Sequence, residues 1–286
     1  MVKTIRNYLS LVKFSHTVFA LPFAVIGFFL AYRELPQNVD VWLFVLVVLC
    51  MVFARNAAMS FNRLVDRRFD AANPRTQNRE IPRGIITSRA TAMFVVVNAL
   101  LFITTTYFIN RMVFFLSPIA LAIVLLYSYT KRFTMFCHFV LGLGLALAPI
   151  GAYLSVTSRF ELLPLLYSVI VLFWVSGFDI MYALQDEDFD KKENLKSLPA
   201  ALGVKRSLMV ANLLHFVAGA TVVLIGVISS SDAWYWVGSA LFIALLIYQH
   251  IIVKPTDISR VNLAFATTNG LASIIYATFN VISIFY

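Results

Sequence analysis

The sequence is poor in charged residues, because Asp, Glu, Lys and Arg make up only 13% of its 286 residues. A soluble domain carries about twice that fraction, so an ordinary soluble protein is excluded. Cysteine is also scarce. The only two, Cys50 and Cys137, lie in apolar stretches and lack the spacing of a zinc or redox site. The net charge of +9 would suggest nucleic acid in a soluble protein, but in so hydrophobic a chain we expect no nucleic-acid partner.

Hydrophobic residues are abundant instead, at 60% of the chain, and the mean hydropathy is +0.84. Nine stretches approach the length of about 20 apolar residues that a helix needs to cross a bilayer. Such stretches must be helical, because lipid offers the backbone no hydrogen-bond partners. The sequence therefore predicts an all-α membrane protein with nine transmembrane helices. They lie near 14–32, 40–61, 91–109, 112–130, 134–156, 162–184, 207–229, 233–253 and 262–285.

The basic residues are distributed unevenly between the two ends of these stretches. All but four of the 23 Lys and Arg fall on the side of the N-terminus. Arg33, Arg111 and Arg159 lie on the opposite side, and Arg55 lies within the second stretch. Because Lys and Arg are retained in the cytoplasm, we predict a cytoplasmic N-terminus and an external C-terminus. The bacterial cytoplasmic (inner) membrane is the expected location.

Two long polar connections, near 62–90 and 185–206, each follow a stretch that ends in acidic residues. This arrangement indicates one polytopic membrane domain, 1–286, built from two pseudo-repeated parts. The parts span roughly 1–130 and 131–286. Both connections belong to the predicted cytoplasmic side.

The first acidic cluster has the pattern NxxxDxxxD, formed by Asn62, Asp66 and Asp70. Residues four apart on a helix drift by only about 40°, so the three side chains share one stripe. Neighbours in the stripe lie about 6 Å apart along the axis. That spacing suits oxygen ligands around one or two hard cations.

The second acidic cluster contains Asp179, Asp186 and Asp190 on one face, with Tyr182 beside them. Asp179 follows a long apolar run, and an ionisable residue at that depth indicates a functional site. Mg²⁺ prefers oxygen ligands and is usually held by one or two carboxylates plus substrate phosphates. Two such clusters on the same side of the membrane therefore predict Mg²⁺ ions bound around a diphosphate.

Two alternatives explain the acids differently. The acids of either cluster alone would serve simply to balance nearby Arg and Lys at the membrane interface. A cation-coupled secondary transporter would also combine apolar helices, a two-part repeat and intramembrane acids. Transporter acids usually lie near the bilayer midplane, whereas these clusters lie at one edge and lead into Arg-rich connections, which suits a phosphate-bearing ligand better.

At these residues the sequence resembles the UbiA superfamily of intramembrane aromatic prenyltransferases. The resemblance covers almost the whole chain, and the order and spacing of its motifs are specific. It is carried by the first acidic cluster, the loop 73–84 with Asn78-Arg79-Glu80-Ile81-Pro82, the segment 127–134 with Lys131-Arg132, the segment 178–190, and Lys196-Ser197 with Leu202-Gly203.

The resemblance implies nine helices around a central cavity that is capped by the two cytoplasmic loops. It implies transfer of a polyprenyl group from a polyprenyl diphosphate to an aromatic acid through an allylic cation, with Mg²⁺ as cofactor. The residues that would bind Mg²⁺ are Asn62, Asp66, Asp70, Asp179, Asp186 and Asp190. Asp66, Asp70, Asp179 and Asp186 would also be catalytic, together with Tyr182, which would orient the diphosphate or stabilise the cation. The residues that would bind phosphate oxygens are Asn78, Arg79, Lys131, Arg132 and Lys196.

Arg55 lies two helical turns deeper than Asn62 on the same face. In aromatic-acid members of the superfamily, an Arg at this place is thought to pair with the substrate carboxylate. The alternative is an Arg that reaches the interface or packs between helices. The segment Lys13–Ala24 resembles the 4-hydroxybenzoate polyprenyltransferase-like branch, which also suggests a dihydroxynaphthoate as acceptor and ubiquinone or menaquinone biosynthesis as pathway. His16 in that segment is expected to be a packed residue rather than a substrate contact.

Overall fold

The computed structural model describes residues 2–12 and 19–286, and the described chain is almost entirely helical. His16 and the start of the first predicted transmembrane stretch lie outside the described residues. A π-helical turn at Leu263–Thr268 leads into the last helix. The helices are α1 (Val2–Leu11), α2 (Leu21–Glu34), α3 (Val41–Val65), α4 (Arg67–Ala72), α5 (Ser88–Tyr107), α6 (Arg111–Thr130), α7 (Cys137–Thr157), α8 (Leu162–Ala183), α9 (Glu187–Lys192), α10 (Leu198–Ile228), α11 (Ala233–Ile252) and α12 (Asn269–Phe285).

Eight helical segments in the described chain are long and apolar enough to cross a membrane, and each matches a predicted stretch. The ninth prediction overlaps α2, which has 14 residues and so spans only about 21 Å at the helical rise. The count of nine therefore stays a prediction. Because α5 and α6 expose large apolar side chains such as Met93, Leu100 and Phe115, their surfaces suit lipid rather than water. The chain is an integral membrane protein.

Polar side chains define where several helices begin. An oxygen of each capping side chain accepts a hydrogen bond from the backbone N–H three residues later, which satisfies one of the donors that a helix start leaves open. For example, Asp40 Oδ1 accepts from Leu43 N at 2.6 Å. The capping residues are Asp40 for α3, Thr87 for α5, Asn110 for α6, Ser197 for α10 and Asp232 for α11.

The start of α10 differs from the prediction. It begins at Leu198, nine residues before the apolar stretch predicted from 207, and it is interrupted at Gly203. The φ of Gly203 is 76°, which a residue with a side chain rarely adopts. The first turn of α10 is therefore a separate piece that packs beside the end of α8, where Leu184 and Leu198 share a hydrophobic cluster.

The helices α2, α7 and α8 form the interior of the bundle. In this region α2 packs on α7, α7 on α8, and α8 on α10. The aromatic side chains of Phe23, Tyr153 and Trp174 are fully buried between these helices. This core fixes α8, the helix that carries the second acidic cluster.

The contact between α2 and α7 depends on Gly27. A Cβ atom at this position would lie 2.1 Å from the carbonyl oxygen of Pro149, which is backbone and cannot rotate away. We expect Gly27→Ala to destabilise the fold by about 1–3 kcal/mol, the usual cost of overpacking. Gly151→Ala on α7 is the control, because no atom of the described residues lies within 4 Å of its added Cβ. Thermal unfolding in detergent measures both, and equal melting temperatures would contradict the packing described here.

Candidate active site

A cavity of about 620 Å³ lies among α3, α6, α7 and α8. Most of its wall is apolar, and one wall residue on α6, Ile119, is 60% exposed. One wall of the cavity is therefore formed by α6, a helix whose other exposed apolar side chains suit lipid. The charged or titratable side chains of the wall are Arg55, Arg63, Asp66, Asp70, Arg75, Arg79, Lys131, His138, Asp179, Tyr182, Asp186 and Asp190, together with Tyr127 and Cys137 and the cysteine of α3, Cys50.

The first acidic cluster forms the predicted stripe, although α3 ends at Val65. The backbone N–H of Asp66 donates to Asn62 O at 2.9 Å, and that of Asp70 donates to Asp66 O at 2.8 Å, so helical bonding continues across the break. The Asn62 amide donates to Asp66 Oδ2 at 3.2 Å. The Nζ atom of Lys131 lies 3.2 Å from the same oxygen.

Asp70 is buried beneath the loop that follows α4. Its Oδ1 accepts from Arg79 Nη1 at 2.6 Å, and its backbone oxygen accepts from Thr76 Oγ1 at 3.0 Å. Its Oδ2 is buried and has no hydrogen-bond partner among the described residues. Because an unsatisfied buried oxygen is costly, this atom is available to a cation or donor that enters the cavity.

The loop after α4 connects the two acidic clusters. Arg75 Nε donates to Asp186 Oδ1 at 2.9 Å, and Arg75 Nη2 pairs with Asp186 Oδ2. Arg75 Nη1 donates to the Tyr182 hydroxyl at 2.8 Å, and Asn73 Nδ2 donates to Asp186 Oδ1 at 2.9 Å. The two clusters therefore face one another across the same end of the cavity.

The contact with Asp186 favours the charged form of Arg75. Burial lowers the pKa of the Arg75 guanidinium, but its hydrogen bond to Asp186 and the negative charge of that carboxylate outweigh burial. Its pKa therefore lies above the ordinary value. Arg75 is thus a charged, forked donor beside the second cluster, and such a donor recognises phosphate oxygens.

The second acidic cluster also faces the cavity. Asp179, Tyr182, Asp186 and Asp190 all line it, although α8 ends at Ala183 and a 3₁₀ turn separates it from α9. The neighbouring acids point elsewhere, since Glu187 pairs with Lys191 at 2.5 Å and Asp188 is exposed. The three aspartates named from spacing thus share one cavity with the first cluster.

The predicted phosphate-binding residues fall into two groups. Arg79 and Lys131 line the cavity, and Arg132 lies at its edge, where its Nη2 is 3.5 Å from Asp66 Oδ1. Asn78 and Lys196 are exposed and are not among the residues that line the cavity. The Lys196 backbone N–H donates to Lys131 O at 2.5 Å, so its main chain, rather than its side chain, supports the site.

Arg55 lines the cavity deeper in the bundle than Asn62, as predicted. Its Nη1 donates to the backbone oxygen of Val12 at 2.7 Å. The end of α1 therefore lies beside this guanidinium. Tyr127 of α6 lines the same part of the cavity and interacts electrostatically with Arg55.

Four cavity residues were missed in the sequence. Arg63 is 5% exposed, and its Nε has no hydrogen-bond partner among the described residues. Asn73 and Arg75 hold Asp186, and His138 contacts Asp179. Arg63 and Arg75 have no spacing that distinguishes them from the other arginines between 63 and 89, and His138 is not part of a metal-ligand pattern. The sequence therefore offered no signal for these residues.

Comparison with known proteins places these features in a family. The sequence model of the UbiA prenyltransferase family matches residues 20–274. A 4-hydroxybenzoate octaprenyltransferase from Aliivibrio fischeri strain ES114 is 30% identical over 252 residues, which cover 87% of this chain and 86% of that protein. This likeness agrees with the resemblance to the 4-hydroxybenzoate polyprenyltransferase-like branch.

Solved structures show the same fold. The apo structure of a UbiA homolog from Aeropyrum pernix K1 has a TM-score of 0.83 at 28% identity, covering 93% of this chain and 97% of that one. A UbiA homolog from Archaeoglobus fulgidus, bound to GPP and Mg²⁺, has a TM-score of 0.76 at 24% identity, and the match covers 98% of this chain and 100% of that one. The chain belongs to the UbiA prenyltransferase family.

Proposed function

We propose that this protein transfers a polyprenyl group from a polyprenyl diphosphate to an aromatic acid, either of the 4-hydroxybenzoate type or a dihydroxynaphthoate, in quinone biosynthesis. The observation that carries the proposal is that both acidic clusters line one end of the same apolar cavity, with Arg75 of the loop after α4 bound to Asp186. The names of the curated relatives, and the GPP and Mg²⁺ bound to a structural neighbour, support it.

The residues of the two clusters fit a magnesium site. They offer carboxylate and amide oxygens, the ligands that Mg²⁺ prefers, and Asp70 Oδ2 is a buried oxygen without a partner among the described residues. When bound, Mg²⁺ would neutralise the charge that develops on the leaving diphosphate. The residues that would hold it are Asn62, Asp66 and Asp70 on one side and Asp179, Asp186 and Asp190 on the other.

Basic residues around the clusters would bind the diphosphate. Arg75, Arg79 and Lys131 already lie against the carboxylates, so a small rotation of each side chain brings its N–H groups to phosphate oxygens. Arg132 at the edge, and Asn78 and Lys196 in the exposed loops, are proposed to complete phosphate binding when the loops close over the substrate.

The reaction then breaks the bond between the allylic carbon and the diphosphate oxygen, and the diphosphate leaves with the electron pair. The apolar wall excludes water that would capture the allylic cation. The Tyr182 ring, which lies at the wall beside Arg75, stabilises the cation or orients the diphosphate. The aromatic acid, held at its carboxylate by Arg55, forms the new carbon–carbon bond beside its hydroxyl group. The ring proton passes to an aspartate or to the released diphosphate.

The cellular arrangement follows from the charge distribution. We propose that the N-terminus and the loops bearing both acidic clusters lie in the cytoplasm, and that the C-terminus lies outside a bacterial inner membrane. The diphosphate end of the substrate would then enter from the cytoplasm. We also propose one membrane domain with two related parts, 1–130 and 131–286, each of which contributes one acidic cluster.

The proposal is tested in membranes that contain the overproduced protein. A radiolabelled polyprenyl diphosphate is supplied with 4-hydroxybenzoate or a dihydroxynaphthoate, with Mg²⁺ or with excess EDTA. We expect a labelled lipid-soluble product and free diphosphate with at least one acid, and near-complete loss with EDTA, because the diphosphate charge is then not neutralised. Membranes without the protein are the control. Substrate uptake without diphosphate release would instead favour a transporter and contradict the proposal.

A further inference from the structure

The imidazole of His138 lies directly behind one of the acidic residues. Its Nδ1 is 2.7 Å from Asp179 Oδ2, and the ring is almost fully buried at the start of α7. Its Nε2 accepts a hydrogen bond from the backbone N–H of Leu198 at 3.3 Å. The ring therefore connects α7, the second acidic cluster on α8, and the first turn of α10.

These contacts determine the tautomer of the ring. A backbone N–H can only donate, so Nε2 of His138 must carry a lone pair toward Leu198. A neutral imidazole then carries its proton on Nδ1 and donates it to Asp179. His138 is thereby a fixed hydrogen-bond donor to the carboxylate.

The segments that contact the ring are themselves held by hydrogen bonds. Ser176 Oγ donates to the backbone oxygen of His138 at 3.2 Å, which joins α8 to the start of α7. Leu198 follows Ser197, whose side chain caps α10, so the donor to Nε2 is held by a helix start. Asp179 is less buried than His138, with 23% of its side chain exposed, because it faces the cavity.

We propose that His138 is a positioning residue, which fixes Asp179 through Oδ2 so that Oδ1 is presented to the cavity. The inference rests on the proposed function, in which Asp179 belongs to the site of reaction. A buried donor of this kind fixes the rotamer of a ligand residue, and loss of such a partner typically costs about 10–100-fold in activity or metal affinity. It also couples Asp179 to the first turn of α10, which lies within the second polar connection, 185–206.

The first test compares two substitutions. His138→Phe keeps a ring but removes the donor, and we expect kcat to fall about 10–100-fold with the KM of the aromatic acid nearly unchanged. His138→Asn places an amide N–H at the position of Nδ1, and we expect it to restore kcat to within about fivefold of the parent protein. His250→Phe is the matched control, because His250 contacts another histidine, His215, and forms no ion pair with a carboxylate of the described residues.

Equal losses in the Phe and Asn variants, or a rise in KM without a fall in kcat, would overturn the role of His138. The control variant must retain parental turnover. If the parent protein itself makes no product in any assay, the proposed function fails, and this result is separate from the outcome for His138.

A second test does not use the reaction. Thermal unfolding is measured for His138→Phe, for Asp179→Asn and for the double variant in the same detergent. Because the two side chains contact each other, we expect the double variant to melt close to the less stable single variant rather than at the sum of both shifts. Additive shifts would show that the pair is not coupled and would overturn the inference, whether or not the substrate has been identified.

Discussion

Asp66→Ala and Asp186→Ala are each expected to lower the rate of prenyl transfer by about 10²–10³-fold or more, the scale of losing one preorganised group that stabilises transition-state charge. Each substitution removes a carboxylate from one of the two facing clusters. The remaining cluster cannot surround the diphosphate alone. The measurement is formation of labelled product in membranes that contain equal amounts of each variant.

Folding must be separated from chemistry in this experiment. Asp186→Ala leaves Arg75 without its carboxylate partner, so Asp186→Asn is a gentler variant that keeps two polar atoms without the charge. Asp188→Asn is the matched control, because Asp188 is exposed two residues away and is not among the cavity-lining residues. Normal turnover by the Asp66 or Asp186 variants, or equal loss in the Asp188 variant, would contradict the assignment of the clusters.

Arg55→Ala is expected to raise the KM for the aromatic acid by about 10–100-fold, because a hydrogen bond to a charged group contributes about 1.5–3 kcal/mol. The KM for the polyprenyl diphosphate is expected to stay near the parental value, since Arg55 lies two helical turns deeper than Asn62. Initial rates with each substrate varied in turn give both constants.

A neutral substrate sharpens this experiment. The methyl ester of the acid lacks the carboxylate, so the parent protein should discriminate strongly against it, whereas the Arg55→Ala variant should not. Arg68→Ala is the control, because Arg68 is exposed on α4 and does not line the cavity. An equal rise in the KM of both substrates would instead indicate that Arg55 supports the fold of the cavity as a whole.

The fold was largely predictable because each long apolar run has one stable solution in lipid. The acidic clusters were predictable for a related reason. Helical spacing alone puts residues at i, i+4 and i+8 on one face, and the helical hydrogen bonds continue through Asp66 even though α3 ends there.

The residues that complete the cavity depend on contacts between distant parts of the chain. Arg75 reaches Asp186 across 111 residues, and His138 reaches Asp179 across 41. The spacing of neighbouring residues in the sequence contains no information about such distant pairs. Arg75 therefore could not be distinguished from the other arginines of its loop. The early start of α10 was missed because Gly203 breaks the helix ahead of its apolar stretch.

Ile119 lines the cavity on α6, a helix whose exposed apolar surface suits lipid, and this position has a kinetic consequence. A substrate whose isoprenoid tail enters from the side is already dissolved in the bilayer. The reaction rate should then depend on the mole fraction of the substrate among the lipids rather than on its concentration in the total volume. Dilution of the membrane with inert phospholipid at constant total substrate should therefore slow the reaction. Detergent alkyl chains would compete with the isoprenoid tail for the apolar cavity.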